Sequence, residues 1–160
     1  MERLWTPWRM AYIKGEDRHI ACIFCDFPAQ DVSDDASNLI LARADLSFVI
    51  LNKFPYNTGH LMVAPYRHVG EWESLTPEEL AEVTRTSQRC IEALNATLGP
   101  QGFNVGVNQG VIAGAGIVDH VHLHVVPRWG GDTNFMTTVG ESKVIPEALE
   151  DTYARLKPHL

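Results

Sequence analysis

The segment Asp119-His120-Val121-His122-Leu123-His124-Val125-Val126-Pro127 places a histidine at every second position for three cycles. Side chains along a β-strand point alternately to opposite faces, so the three histidines share one face and the aliphatic residues between them share the other. Chance would rarely place three of the seven histidines of the chain in this register. The segment predicts a strand whose aliphatic face packs into the core and whose histidine face lines a cleft.

Two kinds of chemistry use several imidazoles on one face. Imidazole is a common ligand for zinc and similar ions, so the row of histidines can contribute to a metal site. A neutral imidazole is also a nucleophile near neutral pH, and neighbouring imidazoles can neutralise charge on phosphoryl oxygens. The row by itself leaves both readings open.

A long amphipathic helix is predicted from Pro77 to Leu98. Thr76 suits the N-cap, Pro77 suits the first helical position and Glu79 completes a capping box. Gly99 follows the last apolar residue and ends the helix. A shorter helix is predicted from Pro146 to Leu156.

Apolar runs bounded by turn residues predict five strands. They cover Leu39 to Ala42, Phe48 to Leu51, Leu61 to Ala64, Phe103 to Asn108 and Val121 to Val126. Most of these strands follow one another without a crossover helix, which favours an antiparallel sheet with helices against one face. The predicted fold class is α+β, with an antiparallel sheet of about five strands, one long helix and one short helix.

Length and charge exclude several classes of protein. The 160 residues suit one domain, 1–160, with an N-terminal arm at about 1–20 and a C-terminal helix and tail at about 145–160. The net charge of -7 is the opposite of what a duplex nucleic-acid binder carries. No apolar run is long enough for a membrane helix and the N-terminus lacks a signal-peptide pattern. We therefore expect no nucleic-acid or membrane partner and a cytoplasmic location.

Two of the three cysteines, Cys22 and Cys25, form a CxxC pair. An odd, small number of cysteines is a poor disulfide framework and suits a reducing compartment. Two thiolates at this spacing can bind one metal ion, whereas a redox CxxC would be expected in a thioredoxin-like βαβ setting, which this chain lacks. The remaining alternative is a pair of buried free thiols.

The motif around the three histidines resembles that of the histidine triad (HIT) superfamily. That family carries His-φ-His-φ-His-φ-φ, where φ is apolar, and residues 120–126 match at every position. Further matching pieces run from about residue 20 to 130 and are Cys22-Ile23-Phe24-Cys25, Leu51-Asn52, Gly59-His60-Leu61-Met62-Val63, Pro65-Tyr66-Arg67-His68 and Asn108-Gln109-Gly110. The segments at the edges of this matching region, residues 5–9 and 128–136, also look like those of bacterial diadenosine tetraphosphate phosphorylases within the family.

The resemblance implies a HIT-like fold and an enzyme that acts through a nucleotidyl-histidine intermediate. His122 would attack the α-phosphorus of a bound nucleotide, and His124 would donate a hydrogen bond to a non-bridging oxygen. The backbone carbonyl of His120 would hold the His122 ring, and His60 would lie close by as a supporting polar group.

The nucleotide pocket follows from the same resemblance. Ile23, Phe24 and Phe27 would form walls for the adenine ring. Asn52 would contact ribose, and Asn108 with Gln109 would supply amides on the phosphate side.

The segment before the triad departs from the pattern of many relatives. They carry Gly-Gln-Ser or Gly-Gln-Thr there, whereas residues 113–119 read Ala-Gly-Ala-Gly-Ile-Val-Asp, with no hydroxyl or amide side chain. The glycines, Gly114 and Gly116, could instead bring backbone N–H groups close to phosphate oxygens. This departure favours a different acceptor, such as inorganic phosphate.

The resemblance further implies a structural zinc and a homodimer, with no organic cofactor. The zinc ligands would be Cys22, Cys25, His68 and His120, a closed set without an open position. The implied activity is phosphorolysis of a dinucleoside polyphosphate, diadenosine tetraphosphate, to ADP and ATP. One alternative is a HIT-type nucleotide hydrolase or phosphoramidase that releases AMP. A second is a zinc-stabilised protein that binds nucleotides without catalysis.

Overall fold

The computed structural model describes residues 22–133 and 145–160. The expected N-terminal arm and residues 134–136 of the phosphorylase-like motif lie outside the described residues. Among the residues described, no helix combines the length and apolar character required to cross a membrane.

Five strands form one antiparallel sheet in the order β1-β2-β3-β5-β4. The strands are β1 (Ile40–Arg43), β2 (Ser47–Leu51), β3 (Leu61–Pro65), β4 (Gly102–Val107) and β5 (Leu123–Arg128). The α-helices are α1 (Ile23–Asp26), α2 (Pro77–Leu98) and α3 (Leu149–Leu156), and short 3₁₀ turns cover Val32–Asp34, Trp72–Ser74 and Lys157–His159. The predicted α+β class, antiparallel sheet and long and short helices are confirmed.

One face of the sheet is covered by helices α2 and α3. Its core contains aliphatic side chains from the central strands, including Leu61, Val63 and Val125, packed against Leu94 of α2 and Leu156 of α3. Helix α2 begins with the predicted capping box at Thr76 and ends at Gly99, which adopts the left-handed conformation.

The opposite face carries the histidines. There a second apolar cluster joins the CxxC segment to the sheet through Phe24, Phe48, Ile50 and Met62. The register places Met62 opposite His124, so this cluster ends at the histidine row. Alternation along the strands thus separates a helix-covered face from a face with ionisable groups.

The triad strand begins later than predicted. Strand β5 starts at Leu123 rather than Val121, and the sequence-based start was wrong by two residues. The pairing of β3 with β5 stops at Val63 and Leu123. Beyond that point the carbonyl of Pro65 pairs with the His120 ring, at 2.8 Å, instead of with a strand amide. The short helix also begins later than predicted, at Leu149 instead of Pro146, with Ala148 as N-cap.

Gly59 closes the β2–β3 connection directly before His60. Its φ is +77°, and a Cβ placed there would lie 2.7 Å from Cδ1 of Leu98 and 2.9 Å from Cδ2 of Leu94. A side chain would therefore meet both backbone strain and helix α2.

We expect Gly59→Ala to lower the free energy of unfolding by about 1–3 kcal/mol, because strain and overpacking add. Gly102→Ala is the matched control, since a Cβ at Gly102 would meet no atom within 4 Å. Its change should stay within about 0.5 kcal/mol. Urea unfolding followed by circular dichroism measures both, and equal losses in the two variants would contradict this account.

Candidate active site

His122 is held by a backbone hydrogen bond. Its Nδ1 lies 2.9 Å from the carbonyl oxygen of His120. A carbonyl oxygen can only accept, so the proton of the neutral ring sits on Nδ1 and Nε2 keeps its lone pair. The ring packs between Phe24 and His124, with centroid distances of 4.6 Å and 4.7 Å. Burial lowers the pKa of His122 below 6.5, so the ring stays neutral at neutral pH.

His124 has the opposite tautomer, and His60 sets it. The backbone N–H of Tyr56 donates to Nδ1 of His60 at 3.0 Å, so the His60 proton sits on Nε2. That Nε2–H then donates to Nδ1 of His124 at 2.9 Å. The proton of neutral His124 is therefore on its Nε2. Burial, together with the neighbouring rings of His124 and His122, holds the pKa of His60 well below 6.5.

The adjacent rings of His122 and His124 supply an acceptor and a donor side by side. His122 offers a lone pair at Nε2, whereas His124 offers an N–H at its own Nε2. The first suits attack on an electrophilic phosphorus, and the second suits a phosphoryl oxygen that gains charge. The backbone and a buried histidine set both tautomers before any ligand arrives.

The residues predicted to form the nucleotide pocket lie in different settings. Phe24 is buried and supports the His120 and His122 rings from within the core, whereas Ile23 and Phe27 are half-buried. Asn52 is half-buried beside His60; its Oδ1 accepts from the N–H of Phe54 at 2.9 Å, and its Nδ2 lies 3.3 Å from Nδ1 of His60.

The predicted phosphate-side residues lie on the segment between β4 and β5. Asn108 is half-buried, and Gly114 and Gly116 are exposed. Gln109 binds to the neighbouring 3₁₀ turn: its Oε1 accepts from the N–H of Trp72 at 2.9 Å, and its Nε2 donates to Glu73 at 3.0 Å. Its amide thereby links this segment to the turn.

Sequence reasoning missed Tyr56. The ring of Tyr56 packs on His60 at 4.6 Å and on His124 at 5.9 Å between centroids, and its backbone N–H sets the His60 tautomer. Tyr56 lies in the connection between β2 and β3. Nothing in the local sequence pattern indicates that this connection folds back over the histidines. Only its position four residues before His60 could have served as a signal.

A second cluster brings together all four predicted metal ligands. Sγ of Cys22 and Cys25 and Nδ1 of His68 and His120 lie within 4.8 Å of one another. Four of the atom pairs are separated by 3.3–3.4 Å. A tetrahedral zinc site with its usual bond lengths has ligand–ligand edges of about 3.4–3.8 Å. The donor set and its spacing fit a tetrahedral metal site.

His120 joins the two clusters. Its Nε2–H donates to the carbonyl of Pro65 at 2.8 Å, which leaves the lone pair on Nδ1, directed into the thiol cluster. Its own carbonyl oxygen accepts from His122. His120 therefore contributes its ring to the candidate metal site and its backbone carbonyl to the orientation of His122.

Comparisons with known proteins agree with this geometry. The family model described as HIT domain matches residues 34–131. AP-4-A phosphorylase of Mycobacterium tuberculosis is 46% identical over 157 residues, which cover 95% of this chain and 80% of that protein. Adenosine 5'-monophosphoramidase of Schizosaccharomyces pombe is 33% identical over 109 residues, covering 68% of this chain and 75% of that protein.

Solved structures show the same fold. The crystal structure of a Zn-bound histidine triad family protein from Mycobacterium smegmatis matches with a TM-score of 0.68 and 29% identity. The match covers 87% of this chain and 92% of that one.

The buried histidines predict a specific pH dependence of stability. The unfolded chain gains protons as the pH falls through about 6.5, whereas folded His60 and His122 have lowered pKa values and stay neutral longer. The free energy of unfolding should therefore fall as the pH drops below 6.5, and the loss should end once the folded pKa values are passed. Each histidine can lower the free energy of unfolding by at most about 1.4 kcal/mol for each pH unit below 6.5.

Denaturant unfolding at pH 5.5, 6.5 and 7.5 measures this slope. His60→Gln retains a side-chain N–H donor for His124 but cannot titrate, so the slope below pH 6.5 should decrease in that variant. An identical slope in both proteins would rule out His60 as a source of the effect.

Proposed function

Because the chain belongs to the histidine triad (HIT) family, we propose that it is a nucleotidyltransferase that cleaves diadenosine tetraphosphate with inorganic phosphate to give ADP and ATP. One observation carries this proposal: the hydrogen bond from Nδ1 of buried His122 to the carbonyl of His120, which leaves Nε2 as a nucleophile. The 46% identity to an AP-4-A phosphorylase supports the choice of substrate and acceptor.

In the first step, Nε2 of His122 attacks the α-phosphorus. A P–N bond forms while the bond from phosphorus to the bridging oxygen breaks, and ATP departs with that oxygen. An adenylyl group remains on His122. The Nε2–H of His124 donates to a non-bridging oxygen, where negative charge accumulates as the attack proceeds.

In the second step, an oxygen of inorganic phosphate attacks the same phosphorus from the side that ATP has left. The P–N bond breaks, ADP forms and His122 returns to its neutral state. Residues 113–119 carry no side-chain hydroxyl or amide that would position a water molecule. We assign the backbone N–H groups of Gly114 and Gly116 to the phosphate side, together with Asn108 and Gln109.

The adenine ring is assigned to the edge of the CxxC segment, where Ile23 and Phe27 are half-buried and Phe24 supports the histidines behind them. Asn52 is assigned to the ribose. Its contacts with His60 and the Phe54 amide place it in the turn that also holds Tyr56.

Hydrolysis is the second candidate function, and the identity to an adenosine 5'-monophosphoramidase favours it. Both reactions share the first step and differ only in whether phosphate or water accepts the adenylyl group. The product that carries the adenylyl group, ADP or AMP, therefore distinguishes phosphorolysis from hydrolysis.

With diadenosine tetraphosphate and inorganic phosphate we expect ADP and ATP, with a rate that rises with phosphate concentration. In plain buffer we expect little turnover. Anion-exchange chromatography separates the products, and AMP with ATP formed at an equal rate without phosphate would favour the hydrolase.

His122→Gln should lower kcat by about 10⁴-fold or more, since it removes the nucleophile. The matched control is His159→Gln, which changes an exposed histidine at the chain end. Turnover by the His122 variant at the wild-type rate would exclude His122 as the nucleophile.

We also propose that Cys22, Cys25, His68 and His120 bind one structural zinc ion. The four donors form a closed set, and the solved structure of a Zn-bound relative supports the choice of metal. Without metal, burial and the adjacent Cys22 thiol raise the pKa of Cys25 to about 11, so metal binding releases protons. Zinc would fix the CxxC segment, and with it Phe24, against the triad.

Protein purified without chelator should contain about one equivalent of zinc, and less than about 0.2 equivalents would refute the site. Cys25→Ser should reduce zinc content and lower the thermal midpoint by at least about 5 °C, the shift expected for a loss of about 2 kcal/mol at this size. Cys90→Ala is the matched control: Cys90 is buried in the α2 core, so this variant should lose stability but retain zinc.

A homodimer is further proposed, with β4 as the contact strand. Strand β4 is the last strand in the sheet and pairs only with β5 among the described residues. An unpaired strand edge of this kind readily accepts a strand from a second chain.

A further inference from the structure

A trough runs along the histidine face of the sheet, away from His122. The β4–β5 register places Gly106 opposite His124, Asn104 opposite Val126 and Gly102 opposite Arg128. Residues that lie opposite each other in an antiparallel pair share a face. Tyr56, Asn57, Asn104, Val126 and Arg128 line a cavity in this trough, and Gly106 and His124 continue the same face of the β4–β5 pairing beside it.

The trough is open along β4 because two of the β4 residues on this face, Gly102 and Gly106, have no side chain. A Cβ at Gly106 or Gly102 would meet no heavy atom within 4 Å, and neither glycine has a positive φ. A cavity of about 190 Å³ lies among Tyr56, Asn57, Asn104, Val126, Arg128 and Thr133. Glycine is not needed there for backbone conformation, and what it provides is space beside His124.

The polar groups of the trough are electrically neutral as a set. Arg128 donates from Nε and Nη2 to both oxygens of Asp132, at 2.6 Å and 2.9 Å, and from Nη1 to Oδ1 of Asn104 at 2.6 Å. Asp132 also accepts from Asn57 at 2.7 Å. The guanidinium charge is thus compensated, while spare N–H groups of Arg128 and Asn104 can still donate. Such a site suits a neutral, hydrogen-bonding ligand better than a phosphate.

Tyr56 supplies an aromatic surface at the same place. The residue is 37% exposed, and its ring lies at 28° to the His124 ring, so it packs on His124 and borders the cavity. An aromatic ring beside neutral donors is the combination that binds a nucleobase with its ribose.

Position along the strand fits a ligand attached to the reacting phosphorus. Val126 is four residues beyond His122, or about 13 Å along an extended chain. A nucleoside joined through a bridging oligophosphate can reach across this distance.

We propose that this trough binds the distal nucleoside of the substrate, the one that leaves with the bridging phosphates, and thereby selects dinucleoside polyphosphates over mononucleotides. The proposal rests on the function proposed above. Tyr56 contacts the base, and Asn104 and Arg128 donate to base or ribose oxygens.

The test compares two substrates with the same phosphate chain. Diadenosine tetraphosphate and adenosine 5'-tetraphosphate share the α-phosphorus and chain length, but only the first has a second nucleoside. The wild-type protein should prefer the first in kcat/KM by about tenfold or more, the factor expected when one base-stacking contact is made or lost. Gly106→Leu fills the trough, so it should reduce this preference to near unity, and Asn104→Ala should weaken it.

Val105→Leu is the matched control, because Val105 is the neighbouring residue in β4 and points to the opposite face. It should keep the wild-type preference. A Gly106→Leu protein that keeps the wild-type preference, or a wild-type protein that shows none, would overturn the proposal, and thermal midpoints verify that each variant is folded.

A different result would show that the proposed phosphorolysis, and not the trough, is wrong. A wild-type protein that binds both compounds and turns over neither contradicts the reaction. In that case the Kd values for the two compounds test the trough. The wild-type protein should bind diadenosine tetraphosphate more tightly than adenosine 5'-tetraphosphate, and Gly106→Leu should lose this preference.

Discussion

The hydrogen bond between Nδ1 of His122 and the carbonyl of His120 is the interaction on which the rest of the site depends. It assigns the ring proton to Nδ1 and leaves the lone pair on Nε2. The carbonyl is itself held, because the His120 ring is fixed by the Pro65 carbonyl on one side and by the thiol cluster on the other. A metal-type cluster that contains none of the reacting atoms can therefore affect the reaction by holding one peptide group in place.

Burial keeps the histidine rings neutral in the tautomers that the hydrogen bonds set. The rings of His60, His120 and His122 are nearly inaccessible to water, and burial lowers the pKa of each. A nucleophile requires a neutral ring with a free lone pair, which protonation of His122 would remove, and protonation of His60 would break the hydrogen bond that its Nδ1 accepts from Tyr56. The same burial that makes the histidines costly to protonate thus keeps the chemistry defined across the neutral range.

The fold and the histidine row were predictable because their signals are local. Strict alternation predicted that His124 of β5 lies on the face opposite the buried Leu123 and Val125, and capping residues predicted both ends of α2. The CxxC spacing indicated a metal site without revealing its other two ligands; those came from the resemblance to the HIT family. The start of β5 was not predictable, because it depends on the Pro65 carbonyl receiving a side chain 55 residues away. Asn104 and Arg128 come together through the pairing of β4 with β5, and Tyr56 joins them from the β2–β3 connection, so no single local pattern predicts that the three residues meet.

The net charge of the chain is -7, and within the described residues several arginines are compensated by carboxylates and are not gathered at the triad histidines. In the described part of the chain, Arg43, Arg67, Arg128 and Arg155 are each paired with a carboxylate, at 2.6–2.7 Å. These pairs support the fold: Arg67, for example, joins Glu79 of the α2 capping box. In the proposed mechanism, imidazole N–H groups and backbone amides contact the phosphoryl oxygens, and they are dipoles held in place before the substrate arrives. Fixed dipoles stabilise charge that develops during reaction without holding the anionic products as strongly as paired cations would, and this suits an enzyme that must release two nucleotides in each cycle.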